Sequence, residues 1–252
     1  MTNEATLHHF PGHDGARIAV HRLGAGRPVL FIHGLASNVR TNWLRYGTAR
    51  RVVDAGFEAI MVDLRVHGQS DAPHDPAAYP PDVAVLDLEA VIGALDLSAF
   101  DLVGYSLGSR LSAMLVARGH RPRRLVLGGM GLRGFVDWRP RRQFYLDAIE
   151  RFDISRPGEP DFLAIQFMKT TKIDPIALKY LLLSLDDIPR EDLDALTMET
   201  LVLYGEKDDD PGSADALAAA LPRATRITVP GTHMSCITLP EFGAAIADYL
   251  AA

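Results

Sequence analysis

The chain holds a single cysteine, Cys236, so no internal disulfide can form and nothing in its make-up calls for an oxidising compartment. It has no apolar run near the roughly 20 residues that span a bilayer, and Met1-Thr2-Asn3-Glu4 offers no basic segment leading into an apolar one. A cytoplasmic protein without membrane contact is the expectation. Basic residues are the minority: 26 Lys and Arg against 32 Asp and Glu give a formal net charge of -6, which removes the cationic surface that nucleic-acid binding requires. His-Glu-x-x-His spacing and cysteine-histidine clusters are missing, so neither a metal nor another cofactor is expected. Repeats and low-complexity tracts are absent as well. With 48% hydrophobic and 23% charged residues, the composition is that of an ordinary globular chain.

What is present is the rhythm of an α/β fold. The 252 residues suit one large domain. Strand-length apolar runs at Val29 to Ile32, Ala59 to Val62, Leu102-Val103 and Leu125 to Leu127 alternate with segments of helical period, and strands resume at Thr200 to Tyr204 and Thr225 to Val229. Continuous apolar strands between helices indicate a mostly parallel sheet with helices on both faces. Ile18 to Arg22 alternates like a half-exposed antiparallel edge strand. Helices are expected at Thr41 to Asp54, Asp82 to Leu95, Leu107 to Arg118, Ser213 to Leu221 and Glu241 to Leu250. Between Met130 and Met198 the strand rhythm stops, and Pro140, Pro157-Gly158, Pro160, Pro175 and Pro189 punctuate helical segments. Residues 130–198 therefore read as a helical insertion into a core formed by 1–129 and 199–252.

The sharpest motif is Gly104-Tyr105-Ser106-Leu107-Gly108, directly between the strand ending at Val103 and the helix beginning at Leu107. A serine at a tight strand-to-helix turn takes a strained backbone, and flanking glycines remove the side chains that would clash there. Its hydroxyl then stands at the carboxyl edge of the sheet, where open α/β sheets bind ligands. Such a hydroxyl needs a base. Of nine histidines, His233 is the candidate, because Pro230-Gly231-Thr232-His233-Met234 follows a strand and lies at the same edge. His8, His9, His13, His21, His74 and His120 sit in polar or terminal segments and read as solvated. A carboxylate should orient the imidazole. Four compete after the strand ending at Tyr204, namely Glu206, Asp208, Asp209 and Asp210, and the order serine, acid, histidine suits the fold.

With these residues in view, the chain resembles the α/β-hydrolase superfamily over nearly its whole length. His33-Gly34-Leu35 is similar to the family's oxyanion loop, which implies that the backbone N–H groups of Leu35 and Leu107 hold an oxyanion. Asp63-Leu64-Arg65-Val66-His67-Gly68-Gln69-Ser70 resembles the D-x-x-G-x-G-x-S turn, with Val66 and His67 departing from the two-glycine form and His67 read as a turn residue. Gly205 to Asp208 resembles the G-x-x-D acid turn. Asp208 has that position, whereas Glu206 should still point away and Asp209 and Asp210 precede Pro211-Gly212, where a helix start favours acids through its dipole alone. Residues 130–198 look like the family's helical cap. A serine nucleophile rather than an aspartate separates the chain from the dehalogenases and epoxide hydrolases of the superfamily.

The function this implies is acyl transfer to water by Ser106, His233 and Asp208, most simply hydrolysis of carboxylic esters with small to medium apolar acyl groups. Two alternatives stand beside it: a carbon-carbon bond hydrolase of a diketone-like acid, and a ligand receptor that keeps the triad. The partner is a small-molecule substrate, and the chain is a monomer or homodimer. Phe135, Trp138, Phe144, Tyr145, Phe162, Phe167, Met168 and Tyr180 should pack the insertion, some of them roofing a pocket. Arg139-Pro140-Arg141-Arg142 reads as a solvated cluster, and Cys236 as a small buried side chain near the site.

Overall fold

Parallel apolar strands must be covered on both faces, and the computed structural model, which describes residues 4–208 and 213–252, builds that cover around an eight-stranded sheet. Its strands are β1 (Thr6–Pro11), β2 (Arg17–Gly24), β3 (Arg27–Ile32), β4 (Phe57–Val62), β5 (Asp101–Tyr105), β6 (Arg124–Gly128), β7 (Glu199–Gly205) and β8 (Ala224–Val229), in the order β1-β2-β4-β3-β5-β6-β7-β8. β1 pairs antiparallel with β2 and β2 antiparallel with β4; every later pairing is parallel. The sequence pattern did not reveal β1. Five of its six residues are exposed, so it lacks the apolar alternation that marks a strand.

The helices of the core are α1 (Thr48–Asp54), α2 (Val83–Ala94) and α3 (Leu107–Ala117), and between β6 and β7 come α4 (Arg133–Val136), α5 (Arg139–Glu150), α6 (Phe162–Thr171) and α7 (Pro175–Leu183). After β7 follow α8 (Ala214–Ala220) and α9 (Pro240–Ala251). Strand side chains alternate between two cores: Val29 and Phe31 face Trp43, Val52, Phe242 and Leu250 under α1 and α9, while Leu30 and Ile32 face Leu88, Leu111 and the helices of the other side. The single helix expected over Thr41 to Asp54 is broken. A wide turn closes from Arg45 N–H to the Arg40 carbonyl at 2.8 Å, and Gly47 at φ 78° restarts the chain into α1.

The inserted helices are fastened to the core at polar points. Arg110 on α3 is wholly buried, and its Nη1 donates to the carbonyls of Gly134 (3.1 Å) and Phe135 (2.6 Å), where the insertion leaves the core. Ile188 N–H, on the returning chain, donates to the same Phe135 carbonyl at 3.0 Å. Burial pulls the Arg110 guanidinium down to about 10, and the Trp138 ring lies 5.2 Å from its carbon. Phe135, Trp138 and Met168 are buried as expected, but Phe144 is 38% exposed. Nor is the arginine run wholly solvated, since Arg142 turns inward and donates to the Leu185 carbonyl at 2.7 Å.

A second buried arginine ties the other end of the sheet. Arg65 grips Asp87 of α2 at 2.8 and 2.7 Å and Asp14 of the β1–β2 turn at 3.0 and 2.7 Å. That hydrogen-bonded guanidinium holds the Asp14 carboxyl down at about 2. Removing one partner from such a cluster leaves buried charge uncompensated, so Arg65→Met should cost about 3 kcal/mol or more in urea unfolding. Arg17→Met, which breaks the exposed pair to Asp71, should leave the midpoint nearly unmoved. Equal losses in the two variants would contradict this account of the cluster.

Candidate active site

Ser106 links β5 to α3 with φ 53° and ψ −116°, a backbone that side chains disfavour and that costs on the order of 1–3 kcal/mol. The surroundings impose it. A Cβ on Gly104 would fall 2.4 Å from the Gly108 carbonyl oxygen, and one on Gly108 would fall 2.0 Å from that of Ile32, so only bare backbone lets α3 start this close to β3 and β5. Ser106 N–H donates to the Gly128 carbonyl at 2.8 Å, and the Ser109 hydroxyl, 3.0 Å from the Gly104 carbonyl, lies 2.8 Å from that same Gly128 oxygen.

The loops after β7 and β8 bring the other two predicted residues to this turn. His233 Nε2 lies 3.2 Å from Ser106 Oγ, and His233 Nδ1 lies 3.1 Å from Asp208 Oδ2. A carboxylate beside Nδ1 keeps the ring proton on that nitrogen by accepting its hydrogen bond, which leaves Nε2 as the acceptor facing the serine hydroxyl. Asp208 presents a fully buried side chain, placed by a tight turn in which its N–H donates to the Gly205 carbonyl at 3.0 Å. The two loops are stitched together: Glu206 N–H donates to the Val229 carbonyl (2.8 Å) and Lys207 N–H to that of Gly231 (2.9 Å). Glu206 is exposed, as expected. Asp209 and Asp210 lie outside the described residues.

The loop after β3 completes the edge. Gly34 sits against the Ser106 turn, its Cβ position 3.2 Å from that of Ser106. Among the described residues, the N–H groups of Leu35 and Leu107 have no hydrogen-bond acceptor. Their neighbours are firmly held: Ala36, at φ 57°, donates to His67 Nε2 at 3.0 Å, and Ser37 N–H donates to the Gly34 carbonyl at 3.1 Å.

Sequence comparison agrees with this architecture. A family model described as alpha/beta hydrolase fold matches residues 27–171, more than half of the chain. The protein belongs to the α/β-hydrolase fold family. A relative in that family, the AB hydrolase superfamily protein YisY of Bacillus subtilis, is 30% identical over 224 residues, covering 80% of this chain and 81% of its own. A 2-hydroxy-6-oxo-2,4-heptadienoate hydrolase of Pseudomonas putida is 35% identical over 116 residues, 46% of this chain and 41% of the relative. Among solved structures, an esterase from Exiguobacterium antarcticum superposes with a TM-score of 0.79 at 22% identity, over 97% of this chain and 99% of that one, and speaks for the fold alone.

What reading the sequence missed in this α/β-hydrolase edge is a set of buried histidines. His67 is no mere turn residue: wholly buried, it accepts from Ala36 and sits with Nδ1 2.9 Å from the Arg65 carbonyl, to which it donates. His33 repeats the arrangement, with Nε2 accepting from Leu64 N–H (3.1 Å) and Nδ1 donating to the Gly34 carbonyl (2.8 Å). The rings lie 5.0 Å apart. His21, expected in solvent, is buried with Nε2 3.2 Å from Asp63. Although burial opposes its charge, Asp63 stays ionised below the usual range because His21 and the N–H groups of Val39 and Gln69 bond to it. Val66, at φ 77°, fills the first glycine position of the turn. The Asp63 to Ser70 stretch was the available signal, since a histidine in a turn that braces another loop must bond across it.

Both neutral rings make stability depend on acid. Burial pushes His67 down to about 3 and lowers His33 as well. Below the unfolded histidine range the unfolded chain takes up protons that the fold refuses. For His67 the contribution is therefore complete above about pH 6.5 and is lost as pH falls toward 3, by about 1.4 kcal/mol per unit, and His33 acts in the same direction. His67→Gln keeps an oxygen for Ala36 and should lose one proton of that slope. Urea unfolding at about pH 7 and about pH 5 measures it; an unchanged slope in the variant would refute the neutral-histidine account.

Proposed function

We propose that this α/β-hydrolase-fold protein is a serine hydrolase that cleaves carboxylic esters with small to medium apolar acyl groups. The observation that carries the reading is the unbroken line Ser106 Oγ, His233, Asp208, at 3.2 and 3.1 Å, beside two backbone N–H groups that have no acceptor among the described residues. In the first step Ser106 Oγ attacks the ester carbonyl carbon while His233 Nε2 takes the hydroxyl proton. The N–H groups of Leu35 and Leu107 receive the oxyanion, each worth about 3 kcal/mol at the transition state. Collapse releases the alcohol, which leaves with the proton from His233, and an acyl-serine remains. Water then repeats the sequence, giving up a proton to His233, and frees the acid and Ser106. Asp208 holds the ring in the tautomer this cycle needs and stabilises the imidazolium.

A neutral substrate is favoured because the arginines that could recognise an acid are engaged elsewhere. Arg142 donates to the Leu185 carbonyl and Arg139 pairs with Asp187 at 3.1 Å, while Arg110, whose Nη1 holds two carbonyls, is sealed wholly inside the protein. The carbon-carbon hydrolase reading draws on the heptadienoate hydrolase relative, which matches under half of the chain. Turnover of short aryl esters beside a diketone-like acid separates the two: a much faster reaction of the acid would replace the ester reading.

Ser106→Ala should abolish covalent labelling by an active-site phosphonate and leave the fold intact, with the wild-type adduct located on Ser106 by mass spectrometry. Asp208→Asn should retain Ser106 and His233 but present the wrong tautomer, lowering kcat by up to about four orders of magnitude. An adduct on Cys236, or near-normal kcat at Asp208→Asn, overturns the assignment.

A further inference from the structure

The residue before the nucleophile is a tyrosine whose role the reaction above does not use. Tyr105 ends β5 with its side chain turned to the face opposite Leu102, into the core shared by Phe242 and Cys236. Its hydroxyl donates to the backbone carbonyl of His233. The phenol has one proton, so the Cys236 thiol, 3.3 Å from the same oxygen, is the donor in that second contact. The ring packs edge-on against Phe242 at 5.4 Å and lies 5.3 Å from the imidazole of His233. Burial pushes the phenol well above its usual range, so it stays a proton donor throughout the range in which the protein would work.

The end of β6 is shaped to the same ring. A Cβ on Gly128 would fall 2.9 Å from Tyr105 Cδ2, and one on Gly129 would fall 2.6 Å from Cζ and 2.8 Å from the hydroxyl oxygen. Gly129 also takes φ 61°, open to glycine at no cost. Two consecutive glycines thus give up packing to admit one phenol. Nothing about stability alone demands a hydroxyl there, since a phenylalanine ring would fill the same space.

We propose that Tyr105 is a positioning residue that couples the serine turn to the histidine loop: its hydroxyl clamps the His233 backbone and so sets the distance from Nε2 to the oxygen of the adjacent Ser106. The proposal rests on the serine-hydrolase reading. Ser106 and His233 come from elements far apart in the chain, the turn after β5 and the loop after β8, and their side chains meet in one hydrogen bond. That bond must tighten and relax in every cycle. A link from the Tyr105 side chain to the His233 main chain keeps the imidazole from drifting while its own ring bonds change, and a displacement of about 1 Å in such a pair is enough to cost about a hundredfold in rate.

Tyr105→Phe keeps the ring and deletes the clamp. The readouts are steady-state hydrolysis of 4-nitrophenyl acetate, the rate of phosphonate labelling at Ser106, and the thermal midpoint. We expect kcat and the labelling rate to fall about 10- to 100-fold, with KM within about twofold and the midpoint little changed. Tyr249→Phe is the control, because that buried hydroxyl on α9 has no hydrogen-bond partner among the described residues, and its removal should leave kcat at the wild-type value. Gly129→Ala is the second variant and covers a failure of Tyr105→Phe to fold. It drives a methyl group into the intact phenol and should lower kcat in the same manner. Labelling of Tyr105→Phe at the wild-type rate, or wild-type kcat in Gly129→Ala, overturns the clamp and leaves the serine-hydrolase reading standing. A wild-type protein that takes no label at all overturns both.

Discussion

A Cβ at Gly108 would sit 2.0 Å from the Ile32 carbonyl oxygen, and this contact of bare backbone between α3 and β3 is the constraint on which the whole carboxyl edge depends. It draws the first turn of α3 against the sheet, which forces Ser106 to φ 53° and leaves its hydroxyl clear of its own chain. The loop from His33 to Leu35 passes the same point, so two separate backbones meet at one serine. Strain of on the order of 1–3 kcal/mol is affordable here because Ser106 N–H and the Ser109 hydroxyl are anchored on the Gly128 carbonyl of the neighbouring strand. An alanine at position 108 would lose the approach, and the edge with it.

The loops above that contact are held by polar groups that carry little net charge. His33 and His67 each accept one N–H and donate to one carbonyl, so two rings satisfy four backbone groups inside the protein without introducing a cation. An amide or hydroxyl side chain could meet part of that demand, but only imidazole spans the gap with one acceptor and one donor on opposite sides of a rigid ring. On the flank Arg65 sits between the carboxylates of Asp14 and Asp87, and beneath the loops ionised Asp63 is bonded by His21 and by the N–H groups of Val39 and Gln69.

Features written in short stretches of chain were legible before the structure, and features made by distant contacts were not. The strands from β3 to β8 follow from apolar runs, and the positions of Ser106, His233 and Asp208 follow from the turns after three of them, which the structure brings into one line. β1 escaped because an exposed edge strand needs no apolar face. The break at Gly47 escaped because helical period persists on both sides of it, while the left-handed residue between is fixed by the packing of Trp43 and Val52 into one core. His21, Arg65 and Arg110 each have ordinary sequence neighbours. What buries them is the partner: Asp63 is 42 residues from His21, Asp87 is 22 from Arg65, and Phe135 is 25 from Arg110. A charged residue reads as solvated until its counterpart is known.

The junction at Arg110 bears on how such a chain can change. Phe135 and Ile188 are hydrogen-bonded to each other at 3.0 Å, so the insertion departs from and returns to nearly one point, and a single guanidinium seals that point to α3. Everything between is a long loop closed at its own base. Closure of a flexible loop grows only slowly with length, about 0.6 kcal/mol per doubling, so its contents can be lengthened, shortened or replaced at little expense to the sheet. The sheet with its carboxyl edge and the helices between β6 and β7 are therefore free to evolve at different rates within one polypeptide.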